Sequence, residues 1–135
     1  MTKLSRSKIK KKLSVLTKNY IKDLDNYTCQ YCGKQVEGSN AHGSHILNVA
    51  SHAHMEFDPC NLKTLSYHSH LNFWHKDIIA AGEWFTNKYP ERWAYLQDRD
   101  KLRIKITTPE LDEMLKTFPV SWQEYYSDSL EVREL

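Results

Sequence analysis

Seven histidines, His42, His45, His52, His54, His68, His70 and His75, fall between positions 42 and 75, just after the pair Cys29 and Cys32 and around Cys60. Imidazole is both a borderline metal ligand and a base that titrates near neutrality, so a cluster of this density points to metal binding or acid–base chemistry. The C-x-x-C spacing of Cys29 and Cys32, with Gly33 directly after it, is that of a metal knuckle closed by a tight reversal. His52 and His54 lie in a polar Ser-His-Ala-His loop and read as exposed or hydrogen-bonded imidazoles rather than ligands.

The order of these parts narrows the chemistry. After Cys29 and Cys32 comes Gly43-Ser44-His45-Ile46 on an expected strand, then Phe57-Asp58-Pro59-Cys60-Asn61-Leu62, then Leu65-Ser66-Tyr67-His68-Ser69-His70 running into Trp74-His75-Lys76. This arrangement, over roughly residues 27–97, resembles the HNH endonucleases (the ββα-metal nucleases), and more closely the small phage HNH-type proteins related to the NinG recombination protein. The resemblance implies an α+β fold: a ββα-metal core of a small β-hairpin and helix, flanked by an N-terminal basic helix and C-terminal helices. It also implies phosphodiester hydrolysis assisted by a divalent ion, Mg2+ or Mn2+.

Residue by residue, it implies His45 as general base toward water, His70 as the main metal ligand and His75 as the second. Five residues of ideal helix turn through about 500°, off the single-face geometry of i, i+4, so His75 needs a non-helical first residue or a bulge to join His70. Ser44 stands where many relatives place a ligand, and His42 is the expected replacement. Asn61 is expected to bond backbone on both sides of its loop and fix the strand that carries His45. Structural Zn2+ at Cys29 and Cys32 is in doubt, because Ser66 and Ser69 occupy the positions of the second cysteine pair and hydroxyls are poor zinc ligands. Cys60 or His68 would have to be recruited instead.

Several elements must position these groups. Leu4, Ile9, Leu13, Leu16, Tyr20 and Leu24 form a helical stripe opposed by lysines, ended by Asp25-Asn26. Short strands are expected over Ser44–Val49 and around Leu62–Leu65, and a short helix over Ser69–His75. Asp77 caps a helix to about Lys88, Pro90 opens one to about Arg99, and Thr108-Pro109-Glu110 opens another that stops before Pro119. The aromatic residues Phe73, Trp74, Trp84, Phe85, Trp93 and Tyr95 read as one buried helical hairpin. The expected division is a basic helical arm at 1–26, a core at 27–106 and an acidic helical extension at 107–135.

Composition fits this plan. With 135 residues, 40% hydrophobic and 27% charged, and only four Gly and four Pro, the chain suits one domain and excludes collagen-like or linker sequence. Three cysteines do not suit a secreted disulfide scaffold, no apolar signal segment follows the N-terminus, and no run is long enough to span a membrane; a cytoplasmic protein is expected, in the host cytoplasm if phage-encoded. The net charge of +2 hides an asymmetry: residues 1–24 carry eight Lys/Arg against Asp23 alone, and residues 108–135 carry seven acids against Lys116 and Arg133. Such a basic arm suits DNA, with Lys10, Lys11, Lys12, Lys63 and Lys76 as the expected phosphate contacts. The acidic tail is available to a protein partner, and double-strand cleavage would call for a homodimer. Two other readings stay open: a non-catalytic nucleic-acid-binding module on a degenerate HNH scaffold, and a metal-stabilised interaction protein.

Overall fold

The computed structural model describes residues 4–135. Helix α1 (Arg6–Leu24) starts at Ser5, whose hydroxyl accepts the Lys8 N–H, and it buries Ile9, Leu13, Thr17 and Ile21 at four-residue intervals. The buried stripe therefore runs slightly around the helix from the expected one, and Leu4 and Leu24 are exposed. Strands β1 (Ala41–His45) and β2 (Leu62–Ser66) pair antiparallel, with Ser44 opposite Lys63 and His45 opposite Leu62. Strand β1 thus begins three residues before the expected Ser44. Ile46–Val49, the more β-prone sequence, leaves the sheet to enter the connecting loop.

Helix α2 (Tyr67–Ser69) follows β2 and runs into a single π turn at His70–Trp74. Then come α3 (Ile78–Lys88), capped by the Asp77 side chain, and α4 (Pro90–Leu102), ended by Arg103 in the left-handed region. Helix α5 (Thr108–Lys116) opens on a capping box between Thr107 and Glu110, and α6 (Val120–Tyr125) and α7 (Ser127–Arg133) complete the chain. The fold is α+β: seven α-helices among the described residues around one two-stranded sheet. No helix among the described residues is long and apolar enough to cross a membrane.

Helix α1 can lie on β1 because Gly43 has no side chain. A Cβ there would stand 2.7 Å from Lys18 Cγ and 2.9 Å from Lys18 Cβ, too close to the root of the lysine for rotation to relieve.

The expected acidic extension is not an appendage. Ile9 and Leu13 of α1 share a core with Phe57, Leu111, Met114, Trp122 and Tyr126, and the Trp122 indole donates to the Phe57 carbonyl at 2.8 Å. Arg133 of α7 pairs with Asp25 at 2.9 Å and also donates to the Pro59 and Leu62 carbonyls. Asp25 in turn accepts the Thr64 N–H of β2. The acidic residues of the extension stay at the surface while the apolar residues of α5 and α6 turn inward, since burial of each is worth about 1.5–3 kcal/mol.

Candidate functional site

The Asp58-Pro59-Cys60-Asn61 stretch is buried throughout. Asp58 accepts from the Cys60 N–H at 2.9 Å, from the Tyr95 hydroxyl at 2.7 Å and from the Ser129 hydroxyl. Burial raises its carboxyl above the usual range, while these three donors and Arg99 oppose the rise. Next to it, the Asn61 amide satisfies three backbone groups: its oxygen accepts the Leu47 N–H at 2.7 Å, and its nitrogen donates to the Leu47 carbonyl at 3.1 Å and the Met55 carbonyl at 3.0 Å. The side chain thus pins both ends of the loop that leaves β1 after His45.

That loop holds the His45 ring. Its Nε2 lies 3.0 Å from the Glu56 carbonyl, one residue after Met55. A carbonyl only accepts, so Nε2 carries the proton and Nδ1 keeps its lone pair. Burial pulls the imidazole below its ordinary range, opposed by the Glu56 carbonyl and assisted by Lys18 and Lys63. His45 is therefore neutral near pH 7, with one nitrogen committed to the loop and one free to take a proton.

The π turn brings His75 to His70. The His75 N–H bonds the His70 carbonyl, an i→i+5 closure, and the two Nε2 atoms stand 2.8 Å apart. His42, from β1, meets the other edge of the same ring, with Nδ1 2.9 Å from His70 Nδ1, and its own Nε2 lies 2.9 Å from the Ser39 carbonyl. Once that carbonyl fixes the proton on His42 Nε2, the neutral tautomers follow. His42 Nδ1 accepts from His70 Nδ1–H, and His70 Nε2 presents a lone pair toward His75. Burial, then His75, His42, Lys63 and Lys18, bring His70 down to about 4.

These distances decide which imidazoles suit a metal. Two nitrogens on one tetrahedral ion at about 2.0–2.1 Å each stand roughly 3.4 Å apart. The His70–His75 pair, at 2.8 Å, is hydrogen-bonded and closer than that, with His75 Nε2 carrying the shared proton; His75 is exposed, and it would have to change tautomer and draw back for the two to hold one ion. His42 lies across the ring from the pair and cannot share an ion with His70 Nε2. It is the partner that sets the His70 tautomer. Among the described residues no three His, Cys, Asp or Glu side chains close into a metal cage.

Cys29 and Cys32 belong to a separate knuckle. Gly33 has φ +77°, and Cys29 N–H bonds the Lys34 carbonyl at 2.8 Å while Gln30 N–H bonds Thr64 of β2 at 2.9 Å. The Cys29 sulfur is buried and faces the positions expected for the second cysteine pair. Burial alone would raise the thiol, but the Cys32 N–H at 3.5 Å, the Ser69 hydroxyl and the Ser66 and Tyr31 N–H groups outweigh it and pull it down to about 6. Both groups considered for recruitment are engaged elsewhere. Cys60 bonds the Ser129 carbonyl at 3.1 Å, where burial lifts its thiol to about 11, and exposed His68 pairs with Asn72. Cys29 thus has two serines opposite it, Cys32 is exposed, and the pair does not fit a four-coordinate zinc.

The expected phosphate contacts divide. Lys11, Lys12 and Lys76 are exposed, while Lys10 pairs with Glu56 at 3.0 Å. Lys63 is a correction: it is 0% exposed, with its ammonium 3.1 Å from the centre of the Trp74 ring and 3.4 Å from Ser44 Oγ. Burial, aided by Arg92, holds it well below the usual lysine range. Its place on β2 opposite Ser44 turns it inward, so it meets no phosphate at the surface.

Lys18, not expected at the site, lines the cleft beside Gly43; its position one residue after buried Thr17, on the edge of the helical stripe, is the signal that marks it. The Glu56 carbonyl was also missed, because a main-chain group leaves no trace in sequence. His52 and His54 both reach Asp100 Oδ1 at 2.8 Å, tying the loop to α4. His45, His70, His75 and Lys18 open on one cleft of about 820 Å³, which Ile78 and Ile79 also line.

A scan of protein-family models, a search of curated proteins and a search of solved structures each find no match to this chain.

Proposed function

We propose that the protein is a metal-dependent DNA endonuclease of HNH type that hydrolyses phosphodiester bonds, with DNA processing or recombination in a phage as its setting. The observation that carries this reading is His45: one ring nitrogen tied to the Glu56 carbonyl, the other free, in the same cleft as the His70–His75 pair. His45 takes the proton from the attacking water. Asn61 and Glu56 hold the ring still, acting as positioning groups that do not touch substrate. His70 and His75 would supply two neutral imidazoles, a donor set better matched to a later transition ion than to Mg2+, which favours oxygen ligands; Mn2+ accepts nitrogen more readily than Mg2+ does. A divalent ion bound there would offset the charge that develops on the phosphate and the leaving oxygen. Lys18 borders the same cleft, and the exposed Lys11 and Lys12 extend the basic face of α1.

Supercoiled plasmid incubated with Mn2+, Mg2+ or EDTA tests the reading. Nicking is expected with Mn2+, weaker with Mg2+, absent with EDTA and absent in His45→Ala. Nicking that persists in His45→Ala refutes the assignment. Because His45 and His70 are both held below the ordinary imidazole range, the working neutral forms persist under pH 6.5, and the rate falls only as pH drops through those lowered values.

One observation favours the binding-module reading. The Ser44 hydroxyl is buried against the Lys63 ammonium, so it cannot replace the ligand that the resemblance places at that position. A mobility shift on DNA without cleavage under any metal supports that alternative.

A further inference from the structure

Hydrolysis of a phosphodiester accounts for the imidazoles and Lys18 but leaves much of the cleft without a task. Ile78 and Ile79 open α3 three and four residues after His75, and they are 73% and 79% exposed. Both line the cleft, whose apolar wall continues through Ile46, Phe85 and Trp93. A helix that buries one face turns such residues inward at i, i+3 and i+4. Two adjacent β-branched residues facing solvent serve no packing purpose here. The sugar–phosphate backbone of an intact duplex offers anionic oxygens and sugar edges, and little that an apolar wall would recognise.

A nucleotide with its base out of the stack is complementary to both parts of the lining. Its phosphate suits the imidazoles and Lys18, since among the described lining residues Glu83 alone is acidic. Its base presents flat, largely apolar faces of the kind that proteins read by stacking and apolar contact. The volume agrees: about 820 Å³ is within the roughly 300–1,000 Å³ of sites that enclose whole small molecules. A phosphate alone would need far less.

We propose that the cleft takes the nucleotide beside the scissile phosphate with its base turned out against Ile78 and Ile79, so that the substrate is DNA with an unpaired base at the cut. This rests on the nuclease reading above and adds the substrate class to it. The two isoleucines are specificity residues, and His45, His70 and His75 act on the phosphate that the base delivers.

The test uses the full chain in EDTA, so that no cleavage occurs, with oligonucleotides carrying 2-aminopurine either in a matched duplex or in a one-base bulge. Affinity for the bulge is expected to exceed that for the duplex at least tenfold, with a change in 2-aminopurine fluorescence on binding. Ile78→Ser/Ile79→Ser is expected to melt at the unaltered temperature, both side chains being exposed, and to lose that preference, while Ile78→Val/Ile79→Val keeps most of it. Equal affinity for the two oligonucleotides together with metal-dependent plasmid nicking overturns this inference and leaves the nuclease reading standing. Absence of any DNA binding or nicking removes both. Concentration-dependent dimerisation in sedimentation that the serine variant abolishes shows the face to be a self-interface and also overturns the inference.

Discussion

Asn61→Ala is the substitution whose cost can be worked most directly from the structure. The amide is fully buried and satisfies the Leu47 N–H, the Leu47 carbonyl and the Met55 carbonyl. Alanine leaves all three without a partner. A buried backbone group so orphaned costs about 1–3 kcal/mol. Met55 is buried and takes the upper part of that range, while half-buried Leu47 recovers some water and takes the lower part. The expected loss is therefore about 3–5 kcal/mol, a large share of the roughly 5–15 kcal/mol that holds a typical domain. For a chain of this size it lowers the melting temperature by about 10–20 °C.

Asn61→Asp separates the hydrogen bonds from the volume. The introduced carboxyl keeps the acceptor for the Leu47 N–H, but when ionised it turns an oxygen toward two carbonyls. Its folded-state pKa is raised, so the variant is most stable below the unfolded carboxyl pKa of about 3.9 and loses stability as pH rises through the higher folded value. The assay is thermal unfolding by circular dichroism at several pH values, with urea unfolding as a check that the m-value is unchanged. If Asn61→Ala melts within 2–3 °C of the parent (under about 1 kcal/mol) yet loses nicking, Asn61 acts on substrate and the positioning argument fails.

Three further outcomes follow from the same structure. Ser66→Cys/Ser69→Cys is expected to complete a four-thiolate site with Cys29 and Cys32, giving a thiolate-to-cobalt absorption band with Co2+ and a zinc-dependent rise in melting temperature; the parent protein is expected to show neither, and a variant without the band disproves the convergence of the four positions. Arg133→Ala strands Asp25 in a site where the two side chains are 9% and 5% exposed, and urea unfolding should record a loss of about 3–5 kcal/mol; a loss below 1 kcal/mol would mean that α7 is not anchored by this pair. Burial pushes the Asp100 carboxyl up, but His52 and His54 outweigh it and hold the group below its usual value. The clamp's contribution is therefore present above the unfolded carboxyl pKa of about 3.9 and lost as pH falls through the lower folded value. The melting temperatures of the parent and Asp100→Asn should converge in that acid range, and a constant gap would contradict the coupling.

The helices were legible because their signals are local. Asp77 caps α3 and Pro90 opens α4 as their chemistry requires, and Thr107 with Glu110 forms the box that starts α5. The bridging expected of Asn61 came from the resemblance; its residue type alone fits an ordinary turn after Pro59 equally well. What was not legible depends on partners distant in sequence. Strand β1 consists of Ala-His-Gly-Ser-His, weak strand formers that hold their conformation through pairing with Leu62–Ser66, so propensity favoured the wrong half of the stretch. Lys63 looked like a phosphate contact because a lysine is rarely buried; the Trp74 ring that covers it lies eleven residues away. Helix geometry shows that ideal helix cannot bring His75 to His70, but not which departure would; the π turn is what carries it there. Charge does not decide the place of the C-terminal segment; Leu111, Met114, Trp122 and Tyr126 do, by completing the core that α1 opens.

His42 shows how one contact can reverse a role. Its position on β1 and the weak donor at Ser44 made it the natural replacement ligand, yet the structure places it against the wrong edge of the His70 ring. That edge matters as much as the ligand edge. A free imidazole divides its proton between two nitrogens, and a histidine with the proton on Nε2 cannot offer that atom to an ion. Here the Ser39 carbonyl fixes the His42 proton, His42 fixes the His70 proton on Nδ1, and the His70 Nε2 lone pair is presented toward His75. Burial and the neighbouring positive charges keep that state neutral down to about pH 4. His45 is treated the same way by a different carbonyl, that of Glu56. The imidazoles of His45 and His70 are thus each set by main-chain oxygen, one directly and one through His42. A histidine cluster used only for packing or solubility has no need of such control over its protons.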